Sequence, residues 1–77
     1  MRTIDWTSYG LAVLLARRQR NLKQTELARQ LGISRVTLSY IERGTAHPRR
    51  RTLQAIEALL DVHVDAHQKE VEHAVPV

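Results

Sequence analysis

The sequence predicts an all-α fold, a compact bundle of four to five helices in one domain spanning residues 1–77, with its core at about residues 7–64. Apolar residues recur three and four positions apart in four successive segments, as the buried face of a helix requires. No segment alternates apolar and polar residues in the manner of a half-buried strand. Between the segments lie Asn21, Gly32 and Gly44, residue types that end helices in a left-handed conformation.

Each helix has its own signals at its ends. Asp5, Thr7 or Ser8 can cap the first helix and Ser34 the third, because short polar side chains accept hydrogen bonds from free helical amides. The expected bounds are Thr7 or Ser8 to Arg20, Gln24 to Leu31, Arg35 to Arg43, and about Arg51 to Leu60. Asp65 can cap a fifth helix that reaches about residue 73, although its apolar face is weak. Residues 74–77 are expected to be frayed.

Residues 24–44 contain two short helices joined by a tight turn. The apolar residues that lock these two helices together are Leu27, Leu31, Ile33, Leu38 and Ile41. Ala28 allows a close crossing, and Gly32 lets the chain leave the first helix through a left-handed conformation. This pattern is that of a helix-turn-helix, whose second helix enters the major groove of DNA.

Charge is segregated along the chain, although the net charge is only +4. Between Arg17 and Arg51, ten Lys and Arg residues accompany only two carboxylates, those of Glu26 and Glu42. The rest of the chain holds two basic and six acidic residues. A polyanion is therefore attracted to the middle of the chain, where the helix-turn-helix lies, and is repelled by its end.

Composition argues against several other classes of protein. The chain has no cysteine, which excludes disulfides and thiolate zinc sites. No run approaches the roughly 20 apolar residues of a membrane span, and the first seven residues lack the layout of a signal peptide, so we expect a cytoplasmic protein that contacts no membrane. The four histidines form no metal-binding pattern and no nucleophile–base set is visible. We therefore expect no metal, no cofactor, no small-molecule ligand and no enzymatic activity.

A helical projection of residues 35–43 separates an apolar face from a face that is free to meet the DNA groove. The second face holds the predicted base contacts, Arg35, Val36, Ser39 and Tyr40. Arg35 can grip guanine O6 and N7 with two hydrogen bonds, a contact that discriminates by about 1–3 kcal/mol. Val36 either meets a thymine methyl or packs on the preceding helix, and Ser39 bonds a base edge or a phosphate. Tyr40 either touches DNA or covers the rim of the core.

Polar and basic residues around that helix are predicted to grip the DNA backbone, independently of base sequence and with an affinity that falls with salt. They are Gln24, Ser34, Thr37, Arg43, Thr45, His47, Arg49 and Arg50. Gln24 begins its helix, where free backbone amides add to its side chain. Thr37 lies between the two faces of its helix and can serve either. Arg18, Arg20 and Arg29 either extend this footprint or are solvated.

The first helix is apolar almost all round. Its outward face holds Leu11, Leu14 and Leu15. Either Ile4, Trp6 and the C-terminal segment cover these leucines, or a second protein does, because exposed apolar patches mark contacts. Together with Val71 they form the predicted dimer or partner surface.

A set of residues spread over Tyr9 to Val64 matches one known family. They are Gly10, Arg17, Leu22-x-Gln24-x-x-Leu27-Ala28, Leu31-Gly32-Ile33-Ser34, Ser39-Tyr40-Ile41-Glu42-Arg43-Gly44, Pro48 and Thr52-Leu53-x-x-Ile56-x-x-Leu59. In this order and spacing they resemble the lambda-repressor and Cro-like helix-turn-helix family, also called the xenobiotic-response-element type. The chain departs from that family at Lys23, where a Ser or Thr cap is common, and at residues 49–51, which are all arginine.

The resemblance implies a bundle of four or five helices that binds DNA as a two-fold dimer. It also implies a partly buried ion pair between Arg17 and Glu42, which ties the first helix to the third. In that family the glutamine matching Gln24 holds a phosphate and braces the first recognition residue.

The residues and the resemblance together predict a sequence-specific DNA-binding transcriptional regulator. The expected form is a homodimeric repressor of phage or plasmid type that reads a palindromic operator in double-stranded DNA through residues 35–43. Three alternatives stay open at this point. They are an antitoxin that docks a toxin on the apolar face or the acidic tail, a protein-interaction adaptor, and a restriction–modification controller.

Overall fold

A computed structural model describes residues 1–71 as four helices and a small two-stranded sheet. The helices are α1 (Trp6–Gln19), α2 (Gln24–Leu31), α3 (Arg35–Arg43) and α4 (Arg50–Leu60). A 3-10 turn at Val64–His67 leads into strand β2 (Gln68–Glu70), which pairs antiparallel with β1 (Arg2–Ile4). The predicted all-α class is confirmed, with the sheet as a minor addition. Within residues 1–71 no helix is long and apolar enough to cross a membrane.

The core is built from the apolar faces of all four helices. Its fully buried side chains include Tyr9 and Val13 from α1, Leu27 from α2, Leu38 and Ile41 from α3, and Ile56 from α4. Each face repeats at three- or four-residue spacing, so the same periodicity that predicts the helices also selects the residues that they bury.

α1 and α3 cross at close range, and Gly10 allows it. A Cβ built on Gly10 would overlap the carbonyl oxygen of Ile41 and lie 2.8 Å from that of Glu42. Any larger residue would therefore push α1 away from α3. This crossing places α3 on the outside of the bundle with its second face free.

Local capping signals account for the helix ends. α1 begins at Trp6, one residue before the earliest predicted start, because the Asp5 carboxylate accepts a hydrogen bond of 3.1 Å from the Ser8 backbone N–H. α2 and α3 have the predicted bounds. α1 ends at Gln19, followed by Asn21 in the left-handed region at φ 56°. α4 begins at Arg50, one residue earlier than expected.

The predicted fifth helix is wrong. Asp65 lies in the 3-10 turn, and residues 68–70 form β2, in register with Arg2 opposite Glu70 and Ile4 opposite Gln68. The segment has too weak an apolar face to support a helix on the bundle, whereas pairing with β1 satisfies its backbone groups. The predicted frayed end and residue 73 lie outside the described residues.

Candidate nucleic-acid interface

The α2–turn–α3 unit is held by local contacts. Gly32 ends α2 at φ 72°, and the Ile33 N–H donates to the Ala28 carbonyl over 3.0 Å. Ser34 then starts α3, its hydroxyl accepting a hydrogen bond of 3.0 Å from the Thr37 N–H. These bonds fix the angle between the two helices, and the orientation of α3 follows from them.

The four predicted base contacts share one accessible face of α3. Arg35 is exposed, Val36 is 50% exposed, Tyr40 is 47% exposed, and Ser39 is half-buried. Half of the Val36 side chain is thus accessible rather than packed on α2. The Arg43 guanidinium carbon lies 6.0 Å from the centre of the Tyr40 ring, within range of a cation–π contact.

A buried polar cluster beneath this face is centred on Glu42. Its carboxylate accepts hydrogen bonds from Arg17 Nε at 2.7 Å, Arg17 Nη2 at 3.2 Å and Gln24 Nε2 at 2.8 Å. Arg17 Nη1 also donates to the Leu22 carbonyl at 2.9 Å. Because a carboxylate only accepts, the contact assigns the amide nitrogen of Gln24 to Glu42 and leaves its Oε1 for other partners. The cluster joins α1, α2 and α3 directly under the exposed face.

The predicted contacts on one side of α3 meet in a groove between α1, α2 and α3, here called the α1–α3 groove. It is lined by Leu14, Arg17, Arg18, Lys23, Gln24, Arg35, Ser39, Glu42 and Arg43. The groove thus brings Arg35 and Ser39 together with Gln24 and Arg43. It also adds two cations, Arg18, whose role the sequence leaves open, and Lys23, which sequence reasoning did not place in the site.

A second groove, here called the loop groove, runs between the α2–α3 turn, the α3–α4 loop and the start of α4. Its polar lining consists of Arg29, Gln30, Ser34, Thr37, His47, Arg49, Arg51 and Thr52. Among residues 1–71 no carboxylate lines this groove, so the described lining is positively charged. Arg51 is not among the predicted backbone contacts, because its helical register cannot be read from a run of three arginines. Only the fold shows that Arg29 lies on the same groove.

Five of the predicted backbone contacts have particular environments. The Ser34 hydroxyl donates to Thr37 Oγ1 over 2.9 Å, so both hydroxyls belong to the start of α3. Thr45 Oγ1 donates to the Tyr40 carbonyl over 3.2 Å. Thr45 and Arg50 are exposed but line neither groove. His47 lies at the edge of the loop groove, stacked on the Trp6 ring.

The predicted partner surface is only partly continuous. Leu11 and Leu15 are 51% and 48% exposed on the outer face of α1. Leu14 is half-buried and lines the α1–α3 groove instead. Val71 is exposed at the end of the sheet, where its N–H donates to the Met1 carbonyl.

Comparisons with known proteins agree with this geometry. A family model described as helix-turn-helix matches residues 13–66. The ImmF control region 10 kDa protein of Bacillus phage phi105 is 37% identical over 62 residues, which cover 80% of this chain and 69% of that protein. The crystal structure of the restriction-modification controller protein C.AhdI from Aeromonas hydrophila matches with a TM-score of 0.70 at 23% identity. That match covers 79% of this chain and 92% of the other, and at this identity it shows a common fold.

Proposed function

Because the chain belongs to the lambda-repressor and Cro-like helix-turn-helix family of DNA-binding transcriptional regulators, we propose that it acts as a homodimeric repressor on a palindromic operator. The observation that carries the proposal is the accessible face of α3, flanked on both sides by basic grooves. The kinship with a phage control-region protein supports a regulator of phage type. Such a protein works in the cytoplasm, where its DNA lies.

Base recognition is assigned to four side chains on α3. Arg35, one residue after the N-cap, binds guanine O6 and N7 with two hydrogen bonds. Val36 contacts a thymine methyl, since its exposed half carries no polar atom. Ser39 and Tyr40 supply further contacts at the centre and end of the same face.

Backbone contacts are assigned to the two grooves, to the α3–α4 loop and to the first residue of α4. The residues are Gln24, Ser34, Thr37, Arg43, Thr45, His47, Arg49 and Arg50, with Arg18, Lys23, Arg29 and Arg51 added from the groove linings. The binding free energy of these contacts comes mainly from neutralising DNA phosphates and does not depend on the base sequence. The ion pair of Arg17 and Glu42 supports α3 from below and is not a DNA contact.

A two-fold dimer would present its two copies of α3 about 34 Å apart, one turn of DNA. The exposed residues Leu11 and Leu15 are the apolar surface on which a second copy is proposed to pack, with Leu14 and Val71 at its margins. Burying such side chains on association stabilises a dimer by about 25 cal/mol per Å² of apolar surface.

The proposal is tested by selecting bound duplexes from a random DNA pool. We expect recovered sites with two symmetric halves whose centres are about one helical turn apart. Recovery of no preferred sequence would contradict the proposal. Sites without symmetry would contradict the dimer alone.

Arg35→Ala tests the assignment of base recognition. On the selected operator it should weaken binding by about 1–3 kcal/mol and relax the preference at one base pair, because it removes a two-pronged guanine contact. Arg50→Ala is the matched control, since it should weaken all sequences alike and lower the salt slope by about one unit. If Arg35→Ala weakens random and operator DNA equally, Arg35 is a phosphate contact.

A further inference from the structure

The loop that follows α3 is held against the start of α1 by a pair of stacked rings. The imidazole of His47 and the indole of Trp6 have centroids 4.7 Å apart and planes inclined by 21°. The backbone of Gly44 approaches the same turn of α1, where a Cβ on Gly44 would lie 2.6 Å from the Thr7 Cα. The position of His47 therefore depends on the first turn of α1.

Trp6 is itself fixed from the opposite side. Its ring meets the fully buried Tyr9 ring edge-on, with centroids 5.7 Å apart and planes at 84°. The preceding residue, Asp5, donates its backbone N–H to the His67 carbonyl over 2.6 Å and caps α1 with its carboxylate. The indole thus contacts both the core and the loop.

The charged residues described along the loop groove beside His47 are all cations. Arg29 of α2, Arg49 of the loop and Arg51 of α4 line this groove, and no carboxylate from residues 1–71 does so. Asp5, the charged residue next to Trp6 along the chain, precedes α1, and its carboxylate accepts a hydrogen bond from the Ser8 N–H. A DNA phosphate in the loop groove would place a negative charge beside the imidazole, and the face of an indole also favours a cation lying on it.

We propose that Trp6 is a positioning residue for DNA binding, holding His47 at the edge of the loop groove, and that His47 takes up a proton from solvent as the complex forms. The imidazolium then donates a charge-assisted hydrogen bond to a backbone phosphate. On dissociation the proton returns to solvent. This inference rests on the proposed DNA-binding function. It adds a positioning role for Trp6 and proton uptake by His47 on binding.

The expected signature is an affinity that rises as pH falls through the range in which histidines gain charge, pH 8 to 5. Uptake of up to one proton changes Kd by up to about tenfold per pH unit. His47→Ala should bind more weakly at low pH and flatten the profile, whereas His47→Lys should bind tightly at every pH. Trp6→Leu should resemble His47→Ala, and Trp6→Phe, which keeps an aromatic platform, should keep the pH dependence.

The contribution of His47 must be separated from those of two other described histidines. His63 lies 2.6 Å from Asp61 and 3.2 Å from Glu57, and the hydrogen bond with Asp61 raises the pKa of His63. The His67 ring bonds the Ser8 hydroxyl over 2.8 Å. His63→Gln is the matched control and should leave the pH dependence of DNA binding unchanged.

The experiment measures Kd by fluorescence anisotropy with the selected operator duplex, at constant ionic strength between pH 5.5 and 8. Calorimetry in buffers of different ionisation enthalpy counts the protons taken up. A flat wild-type profile, an unchanged profile in His47→Ala, or a full pH dependence in a folded Trp6→Leu variant would overturn the inference. If Trp6→Leu does not fold, the Trp6→Phe and His47→Lys profiles decide. Absence of any sequence preference in the wild type would instead overturn the proposed function.

Discussion

Glu42→Ala removes the acceptor at the centre of the buried cluster and leaves Arg17 without its counter-ion. The two side chains are only 4% and 11% exposed, so water cannot replace the lost partner freely. Three hydrogen bonds to the carboxylate disappear, and the guanidinium keeps only the Leu22 carbonyl. Gln24 loses the partner that orients its amide. The variant therefore carries a buried charge that nothing nearby compensates.

Breaking a buried pair by removing one partner costs about 3–5 kcal/mol. Small domains have a total free energy of unfolding of about 5–15 kcal/mol, so this loss is a large part of the whole. In a domain of 77 residues each kcal/mol lowers Tm by about 4–8 °C, and we expect Tm to fall by at least about 10 °C.

Urea unfolding followed by far-UV circular dichroism measures the effect. Glu70→Ala is the matched control, since it removes the exposed pair with Arg2, in which the side chains are 68% and 72% exposed. That pair should contribute at most about 1 kcal/mol. The double variant Arg17→Met/Glu42→Leu should recover most of the stability, because a well-packed apolar pair replaces a buried ion pair with little loss. If Glu42→Ala costs no more than Glu70→Ala, the cluster does not support α3.

Three further substitutions test separate parts of the fold by the same unfolding assay. Tyr9→Phe should stabilise the protein by about 1–3 kcal/mol, because the buried Tyr9 hydroxyl has no hydrogen-bond partner within residues 1–71. Burial raises the pKa of Tyr9 to about 12. Because the tyrosine of the unfolded chain ionises first, the stability of the wild type should also fall between pH ~10 and ~12. A Tyr9→Phe variant that loses the same stability over this range would contradict the explanation. Lys23→Ser should raise the free energy of unfolding by about 1 kcal/mol. The Glu26 carboxylate already accepts a hydrogen bond from the Lys23 N–H, and a serine hydroxyl would complete the capping box. A destabilised variant would contradict this. Gly10→Ala should destabilise by about 1–3 kcal/mol despite its better helix propensity, because its Cβ meets the backbone of α3; unchanged stability would show that α1 moves freely.

The α2–turn–α3 unit was predictable to the residue because each of its signals is local. Ser34 caps α3, Gly32 ends α2, and the apolar spacing of both helices needs no information from the rest of the chain. The exposed face of α3 follows from the same spacing. The assignment of its side chains to bases or phosphates stays a prediction that the DNA-binding experiments address.

The terminal segments were not predictable in the same way. Glu70, the last residue of β2, pairs with Arg2 of β1, 68 residues earlier in the chain. Neither strand has an alternating pattern of its own. Pairing between such distant segments depends on where the bundle brings the two ends of the chain. A helix was therefore expected where a strand forms.

The sequence by itself determined the helical class, the helix-turn-helix and the basic middle of the chain, since composition and short-range spacing encode all three. Only the tertiary structure decided which cations share a groove, that His47 lies on Trp6, and that Glu42 orients Gln24. These arrangements join residues far apart along the chain. Their geometry comes from how the four helices pack on one another, which short-range patterns do not specify.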